Sequence, residues 1–421
     1  MREIKKAGAL DADIYVPGSK SYTQRALVIA ALADGISHLR NCLCSDDTNL
    51  LVEALRELGV DVRTFGKDTI VQGTGGNFRT PAAPLFMGNN GTGTRFLAAL
   101  TSLGLGPVVI DGDARLRERP VKSLIDALNA VGGNCKSAAG DVYPPVVNYG
   151  GGLRGGVVRF EDSESSQHIS SVLIVAPYAQ EDIVIELEGR VLSKPYIDMT
   201  LEVMDDFGVP VTVEGHGRYR VPARSKYRAR EYFVEGDASS ASYFFLAAGI
   251  CGGRVCVKNL DSRSRQGDLR VLDVIEELGC MVKRDGVGIE VVGRPLKSGE
   301  RRYDCSEMPD MVPGLAVFSA FRKGRTIIHN VPHLRIKESD RLAATVEGLK
   351  RIGIDAWEIE DGIVIDGGEP VGGEIETYSD HRIAMSFAVA GLRTGGIKIA
   401  GESCVAKSFP EFWAVLEELA R

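Results

Sequence analysis

The sequence predicts an α/β protein of two domains, built from six copies of one unit of about seventy residues. Three observations predict it. Helices opening on a polar cluster recur along the chain: Ser19-Lys20-Ser21 before ALVIAAL, Asn90-Gly91-Thr92 before FLAAL, Ser165-Ser166-Gln167 before SSVLIVA, Ala238-Ser239-Ser240 before YFFLAAG, Pro309-Asp310 before GLAVFSA, and Ser379-Asp380-His381-Arg382 before IAMSFAVAG. Other helices close on a glycine at Gly59, Gly132, Gly208, Gly279 and Gly353, at intervals of 73, 76, 71 and 74 residues. Short β-like runs follow several of those glycines.

The closing helices carry Leu55 and Leu58, Leu128 and Val131, Met204 and Phe207, Ile275 and Leu278, and Leu349 and Ile352 in one register ahead of the glycine. Apolar residues so spaced line one helical face. The glycine beyond supplies the left-handed residue that ends a helix. A sixth copy ends at Leu416, Leu419 and Ala420. The runs VDVRTF with TIVQG, CMVKRD with GIEVVG, and IDAWEIE with GIVIDG read as strand pairs, with Lys67-Asp68, Asp285-Gly286 and Asp361-Gly362 marking the hairpins. Each unit is therefore two helices and several short strands. The unit is too long for a typical solenoid, so compact domains are expected. Six units divide as three and three, with the switch near Glu235-Gly236-Asp237, where EYFVEG runs into the fourth polar helix start.

An apolar content of 44% with 25% charged residues describes a soluble globular chain, and no run approaches the roughly 18 apolar residues of a membrane span. MREIKKAG lacks the apolar stretch of a secretory signal, so a cytoplasmic location is expected. Cys42-x-Cys44 is the only close pair among eight cysteines, and the histidines show no HxxxH or HExxH spacing, so neither a disulfide frame nor a metal site is expected. A net charge of −7 argues against nucleic acid. It leaves small anions open, because helix N-termini, Lys and Arg make a cleft locally positive in an acidic protein.

Four stretches carry more unusual residues than packing needs. Pro17 to Arg25 (PGSKSYTQR) resembles the end of a phosphate loop but lacks GxxxxGK[ST] spacing, so a nucleotide loop is not expected. Gly88 to Arg95 (GNNGTGTR) lets backbone N–H groups approach a ligand. Arg115, Arg117 and Arg119 alternate as a solvated strand would, yet Pro120 opens the helix VKSLIDALNAVG and sets Arg119 at its mouth. The last stretch is C-terminal: RIKESDR at 335–341, then Asp380-His381-Arg382, then Lys407. A helix there would make Lys337 and Arg341 neighbours, with Glu338 beside them. Asp310 and Glu338 supply two carboxylates amid these cations, as paired proton transfers require.

In order along the chain, PGSKSYTQRAL, GNNGTGTRFL, RERP, SSQHISS, SKPYIDMT, VEGDASSASYF, PDMVPG, RIKESDRL, YSDHRIAM and AKSFPEF resemble the motifs of the enolpyruvyl transferases, and among them the 5-enolpyruvylshikimate-3-phosphate synthases (3-phosphoshikimate 1-carboxyvinyltransferases). The resemblance spans essentially the whole chain. It implies two domains, each of three βαβαββ repeats, with the active site in the interdomain cleft. Residues 18–236 would form the shikimate 3-phosphate side, residues 1–17 with 237–421 the second domain, and the hinges would lie near 17–20 and 235–238. The implied reaction joins phosphoenolpyruvate to the 5-hydroxyl of shikimate 3-phosphate through a tetrahedral intermediate, releasing phosphate on the route to chorismate and aromatic amino acids. The resemblance implies no metal or organic cofactor and a monomer without nucleic-acid or membrane partners.

By the same resemblance, Lys20, Ser21, Arg25, Ser165, Ser166, Gln167, Ser193, Tyr196, Asp310 and Lys337 hold shikimate 3-phosphate. Gly91, Arg119, Gln167, Arg341, His381, Arg382 and Lys407 grip phosphoenolpyruvate, with Lys20 reaching it too. Asp310 takes the proton of the 5-hydroxyl, and Glu338 delivers one to the methylene carbon, with Lys20 or Lys407 as rivals or helpers. Planar Arg forks suit both anionic groups of phosphoenolpyruvate. Two departures stand out: His333 where many members have Asn, and Phe96 after Arg95 where many have Pro or Leu, which would shift the Gly91 backbone. Gly91 itself implies inhibition by glyphosate. The related transferases acting on UDP-N-acetylglucosamine normally carry a reactive Cys in the loop matching residues 111–120, and DGDARLRERP has none. A non-catalytic binding protein on this scaffold would not need both Asp310 and Glu338, and observed product formation would exclude it.

Overall fold

A computed structural model of the chain describes residues 1–161, 165–189, 192–215, 217–284 and 288–420. The expected hairpin marker Asp285-Gly286 lies outside the described residues. Helices of two kinds alternate along the chain, and burial separates them. Lys20–Leu32, Gly91–Leu100, Ser166–Val175, Ala238–Cys251, Val312–Ala320 and His381–Thr394 are buried on nearly every side. Every residue from Tyr22 to Leu32 is buried, for example. Such a helix has no solvated stripe, so its polar residues gather at its start. Asp46–Glu57, Lys122–Ala130, Pro195–Asp206, Val271–Glu277, Arg341–Arg351 and Phe412–Leu419 bury one stripe each. Beyond the first five of these, Gly59, Gly132, Gly208, Gly279 and Gly353 have φ between +79° and +116°, the left-handed conformation that stops a helix.

The strands complete a repeated unit. Gly156–Glu161 pairs in parallel with Ile183–Glu188, Gly156 opposite Ile183, across the buried helix Ser166–Val175. A parallel neighbour requires such a crossover. Arg218–Val221 and then Thr212–Glu214 extend the sheet antiparallel. The same strand order recurs in the sheet of Leu85–Phe86, Val108–Asp111, Val146–Asn148 and Cys135–Ser137, and in that of Arg301–Asp304, Gly324–His329, Gly362–Gly367 and Asp355–Ile359.

Two copies take their first strand from a distant part of the chain. Glu231–Phe233 lies parallel to Ile36–Arg40, Glu231 opposite His38. Leu10–Ile14 lies parallel to Gly253–Val257, Leu10 opposite Gly253. The last sheet has three strands, Gly373–Ile375, Ile397–Ile399 and, antiparallel to the latter, the N-terminal Arg2–Ile4. The chain thus divides into two compact units, Gly18–Val234 and Met1–Pro17 with Glu235–Arg421, each with its own hydrophobic core. Close backbone approach marks both crossings. A Cβ on Gly18 would lie 1.9 Å from the Asn41 carbonyl oxygen, and one on Gly236 2.3 Å from that of Asn259.

The hairpins differ from expectation by one residue. Phe65 pairs with Asp68 and Ile359 with Gly362, so the turns are Gly66-Lys67 and Glu360-Asp361 rather than Lys67-Asp68 and Asp361-Gly362. Gly66 supplies the left-handed turn residue at φ +61°. Gly362 is held in the strand because its α-carbon packs on the Ile328 carbonyl, where a Cβ would sit 1.9 Å away.

Candidate active site

In unit Gly18–Val234, side chains from the first two turns of the buried helices meet. Arg95 donates from Nε to His168 Nε2 at 3.0 Å, and Arg25 donates from Nη2 to Ser170 Oγ at 3.4 Å. The starts of the three buried helices therefore lie near one another, which gathers backbone N–H groups and positive dipole ends. Ser19, Asn90 and Ser165 cap them, each side chain accepting from a first-turn amide.

Lys20 opens the first of these helices and donates to Asp47 Oδ2 at 3.3 Å, while Asn90 Nδ2 ties the Asp47 carbonyl at 2.7 Å. Arg25 is buried, 1% exposed. Its guanidinium donates to Thr200 Oγ1, the Ser21 carbonyl, Ser170 Oγ and the Tyr196 carbonyl, and stacks 5.5 Å from the Phe96 ring. Burial, opposed by Tyr22, Tyr196 and Tyr232, pulls its pKa down to about 10. A buried cation whose hydrogen-bond partners are hydroxyls and carbonyls gains from an incoming anion. Ser193, buried and at φ +60°, stands just ahead of the helix that carries Tyr196.

Gly91 faces two guanidinium groups. Arg95 Nη1 donates to its carbonyl at 2.9 Å, and Arg119 Nη1 donates to the Asn89 carbonyl and Oδ1 at 3.1 and 3.0 Å. A Cβ on Gly91 would lie 2.6 Å from Arg119 Cζ and Arg95 Nη1. The alternating arginines do not form a strand face. A single turn at Leu116–Glu118 sends Arg117 out to Asp111 and turns Arg119 inward, 3% exposed. The helix that follows starts at Lys122, after Val121, and not at Pro120. Ser165 Oγ accepts from the Gln167 amide at 3.3 Å. Gln167 Oε1 is buried with no hydrogen-bond partner among the described residues, a polar atom that a bound ligand would satisfy.

The other unit gathers Ser239, Asp310 and Arg382 at the starts of its three buried helices. Arg382 Nη2 donates to Asp310 Oδ2 at 2.6 Å and to Ser239 Oγ at 3.4 Å. Arg341, with 1% of its side chain exposed, binds three carboxylates: Asp310 at 2.7 Å, Glu338 at 2.8 Å and Asp380 at 2.8 Å. Burial favours a neutral Asp310, but Arg382, Arg341 and Lys337 outweigh it and hold its carboxyl well below the usual range. The surrounding carboxylates, Asp380 first, likewise outweigh burial and raise Arg341. Asp380 caps the helix of His381 and Arg382, accepting from the Arg382 amide at 2.9 Å, and lies 3.5 Å from His381 Nδ1. Lys407 is buried at the end of the short helix Glu402–Lys407, and His333 is buried in Pro332–Ile336.

The helical register expected for Lys337 and Arg341 is not formed. Lys337 is extended, and the helix starts at Arg341 because the Asp340 side chain accepts from the Leu342 and Ala343 amides. This break lets Arg341 reach back to Glu338 and across to Asp310.

Lys20, Ser21, Arg25, Gly91, Arg119, Ser165, Ser166, Gln167, Ser193 and Tyr196 thus belong to one unit, and Asp310, Lys337, Glu338, Arg341, His381, Arg382 and Lys407 to the other. Sequence reasoning gave no role to Asp47, Arg95 or Asp380, each of which holds a site residue in place; the i,i+4 spacing of Gly91 and Arg95 was the available signal. A cavity of about 610 Å³ opens at the opposite ends of the buried helices, lined by Cys251, Phe321 and Thr394 among others, and contains none of these residues. Among the described residues no group of three or more His, Cys, Asp and Glu side chains is placed to hold a metal, and no helix is long and apolar enough to cross a membrane.

The family model of EPSP synthase (3-phosphoshikimate 1-carboxyvinyltransferase) matches residues 4–416. The chain is 42% identical to the 3-phosphoshikimate 1-carboxyvinyltransferase of Syntrophobacter fumaroxidans over 423 residues, 99% of both chains. It is 42% identical to the enzyme of the same name from Methanoregula boonei over 413 residues, 97% of both. A solved EPSP synthase from Acinetobacter baumannii superimposes with a TM-score of 0.81 at 29% identity, covering 99% of this chain and 97% of that one. Sequence over nearly the full length and the repeated fold agree: the chain belongs to the EPSP synthase (3-phosphoshikimate 1-carboxyvinyltransferase) family.

Proposed function

We propose that this chain transfers the enolpyruvyl group of phosphoenolpyruvate to the 5-hydroxyl of shikimate 3-phosphate, releasing phosphate. The single observation that carries the reading, beside family membership, is Asp310 held ionised between Arg341 and Arg382 at gathered helix N-termini. Arg25, Ser165, Ser166, Gln167, Ser193, Tyr196, Asp310 and Lys337, with Lys20 and Ser21, hold shikimate 3-phosphate, an anion that gives the buried Arg25 a counter-charge. Gly91, Arg119, Gln167, Arg341, His381, Arg382 and Lys407, with Lys20, hold phosphoenolpyruvate.

Asp310 clamped by two arginines is a weak base. Phosphoenolpyruvate brings a phosphate and a carboxylate that compete for those guanidinium groups. As they are drawn onto the substrate, Asp310 loses charge partners and its affinity for a proton rises. The base is thus strengthened when phosphoenolpyruvate is in place to receive the 5-oxygen. Glu338, on the same Arg341, supplies the proton to the methylene carbon. Addition and elimination then follow without a covalent enzyme intermediate.

Phosphate release from phosphoenolpyruvate with shikimate 3-phosphate tests the reading, with UDP-N-acetylglucosamine as the competing acceptor. Release with the latter alone would refute it. Glyphosate is expected to inhibit competitively against phosphoenolpyruvate, and persistent activity at millimolar glyphosate would contradict the Gly91 assignment. Gly91→Ala is expected to raise both the glyphosate inhibition constant and the KM for phosphoenolpyruvate, since its Cβ displaces the Arg119 and Arg95 guanidinium groups. Arg25→Ala is expected to weaken shikimate 3-phosphate binding by about 2–5 kcal/mol, the range for losing one partner of a buried charge pair. Calorimetry giving a wild-type dissociation constant would remove Arg25 from the site.

A further inference from the structure

Asp268 lies outside every role assigned above, yet it stands one residue from the reacting groups. It sits in the short turn Gly267–Arg270, 4% exposed. The Ser239 hydroxyl donates to its Oδ2, while its Oδ1 has no hydrogen-bond partner among the described residues. The same Ser239 oxygen accepts from Arg382 Nη2 at 3.4 Å, and that nitrogen donates to Asp310 at 2.6 Å. Tyr243, on the Ser239 helix, accepts from the other Arg382 nitrogen at 3.4 Å.

We propose that Asp268 is a positioning residue for the reaction, acting through Ser239 to set the Arg382 guanidinium against Asp310 and, in the complex, against phosphoenolpyruvate. The inference rests on the functional reading above, which the wild-type phosphate-release assay decides separately.

The geometry gives the relay a direction. A serine hydroxyl has one proton and, once that proton is committed to Asp268, its lone pairs face the donor Arg382. With Asp268 gone the hydroxyl turns freely, and its proton opposes the guanidinium in some orientations. The turn itself is fixed. Gln266, two residues earlier, accepts from the Ala238 amide at 3.0 Å and donates to the Gly236 carbonyl at 2.7 Å. Asp268 is therefore held against the helix start that bears Ser239. Burial, reinforced by Asp310 and eased by Arg382, raises Asp268 to about 7.

The test uses the full-length enzyme and the variants Asp268→Ala, Ser239→Ala, the double variant and Asp268→Asn, each checked for a wild-type thermal transition. Asp268→Ala and Ser239→Ala are each expected to raise the KM for phosphoenolpyruvate by about tenfold, the scale of a small misplacement of a binding group, and to change kcat less. The double variant is expected to be no worse than either single one, as for two members of one relay. Asp268→Asn keeps an oxygen acceptor for the Ser239 hydroxyl and is expected to restore a near wild-type KM. Shikimate 3-phosphate affinity, measured by calorimetry, is expected to stay unchanged. A normal KM in the folded Ser239→Ala enzyme would overturn the proposal. So would single effects that multiply in the double variant, an Asn variant as impaired as the Ala variant, or a parallel loss of shikimate 3-phosphate binding.

Discussion

Asp310→Asn is expected to lower kcat by about three orders of magnitude, within the range for losing a positioned general base, while both substrates still bind. The asparagine oxygen can still accept from Arg341 or Arg382, so the local frame survives, but nothing remains to take the hydroxyl proton. Single-turnover rates set beside calorimetric dissociation constants separate the two effects, and turnover within tenfold of wild type would exclude Asp310 as the base. The same substitution alters acid stability. The folded carboxyl titrates below its ordinary value of 3.8, so its ionised form stabilises the fold fully above that pH. That contribution disappears as acid protonates the carboxyl, and the stability gap between wild type and variant is expected to narrow as pH falls below 3.8.

Arg341→Met is expected to be the costliest change to stability among the site residues, about 3–5 kcal/mol, because it leaves buried carboxylates without their shared cation. Asp310, Glu338 and Asp380 all accept from this one guanidinium. Arg351 is the useful contrast. Its pair with Glu347 is exposed, and Arg351→Met is expected to cost about 0.5 kcal/mol or less. Urea titrations of the two variants measure the difference, and equal midpoints would refute the buried-network reading.

The sequence showed the repeat through features that are local: apolar spacing, polar helix starts and terminal glycines. The buried helices were legible because a long apolar run follows a polar cap, as at Ser19, Asn90 and Asp380. Register was less legible. Gly66 and Gly362 look alike in sequence, and only packing decides that one turns while the other lies flat on the Ile328 carbonyl. Lys337 looked helical because its spacing to Arg341 is right, but the Asp340 cap competes for the same segment and wins. Arg115, Arg117 and Arg119 are indistinguishable as letters; one short turn separates surface from site. Asp268 carried no signal, since its partner is 29 residues away in sequence and the motif resemblance did not include it.

The borrowed strands have a consequence for biosynthesis. Residues 18–234 form one continuous stretch whose ends both reach Asn41, through the Gly18 contact and the hydrogen bond from Asn41 Nδ2 to the Val234 carbonyl. This stretch can condense on the ribosome as soon as Val234 has emerged. Arg2–Ile4 and Leu10–Ile14, synthesised ahead of their partners, must wait for Ile397–Ile399 and Gly253–Val257 before their edges are paired. Each of these strands is thus made well before the partner that locks it, so removing residues 2–14 would leave Gly253–Val257 and Ile397–Ile399 without a neighbour that their unit needs.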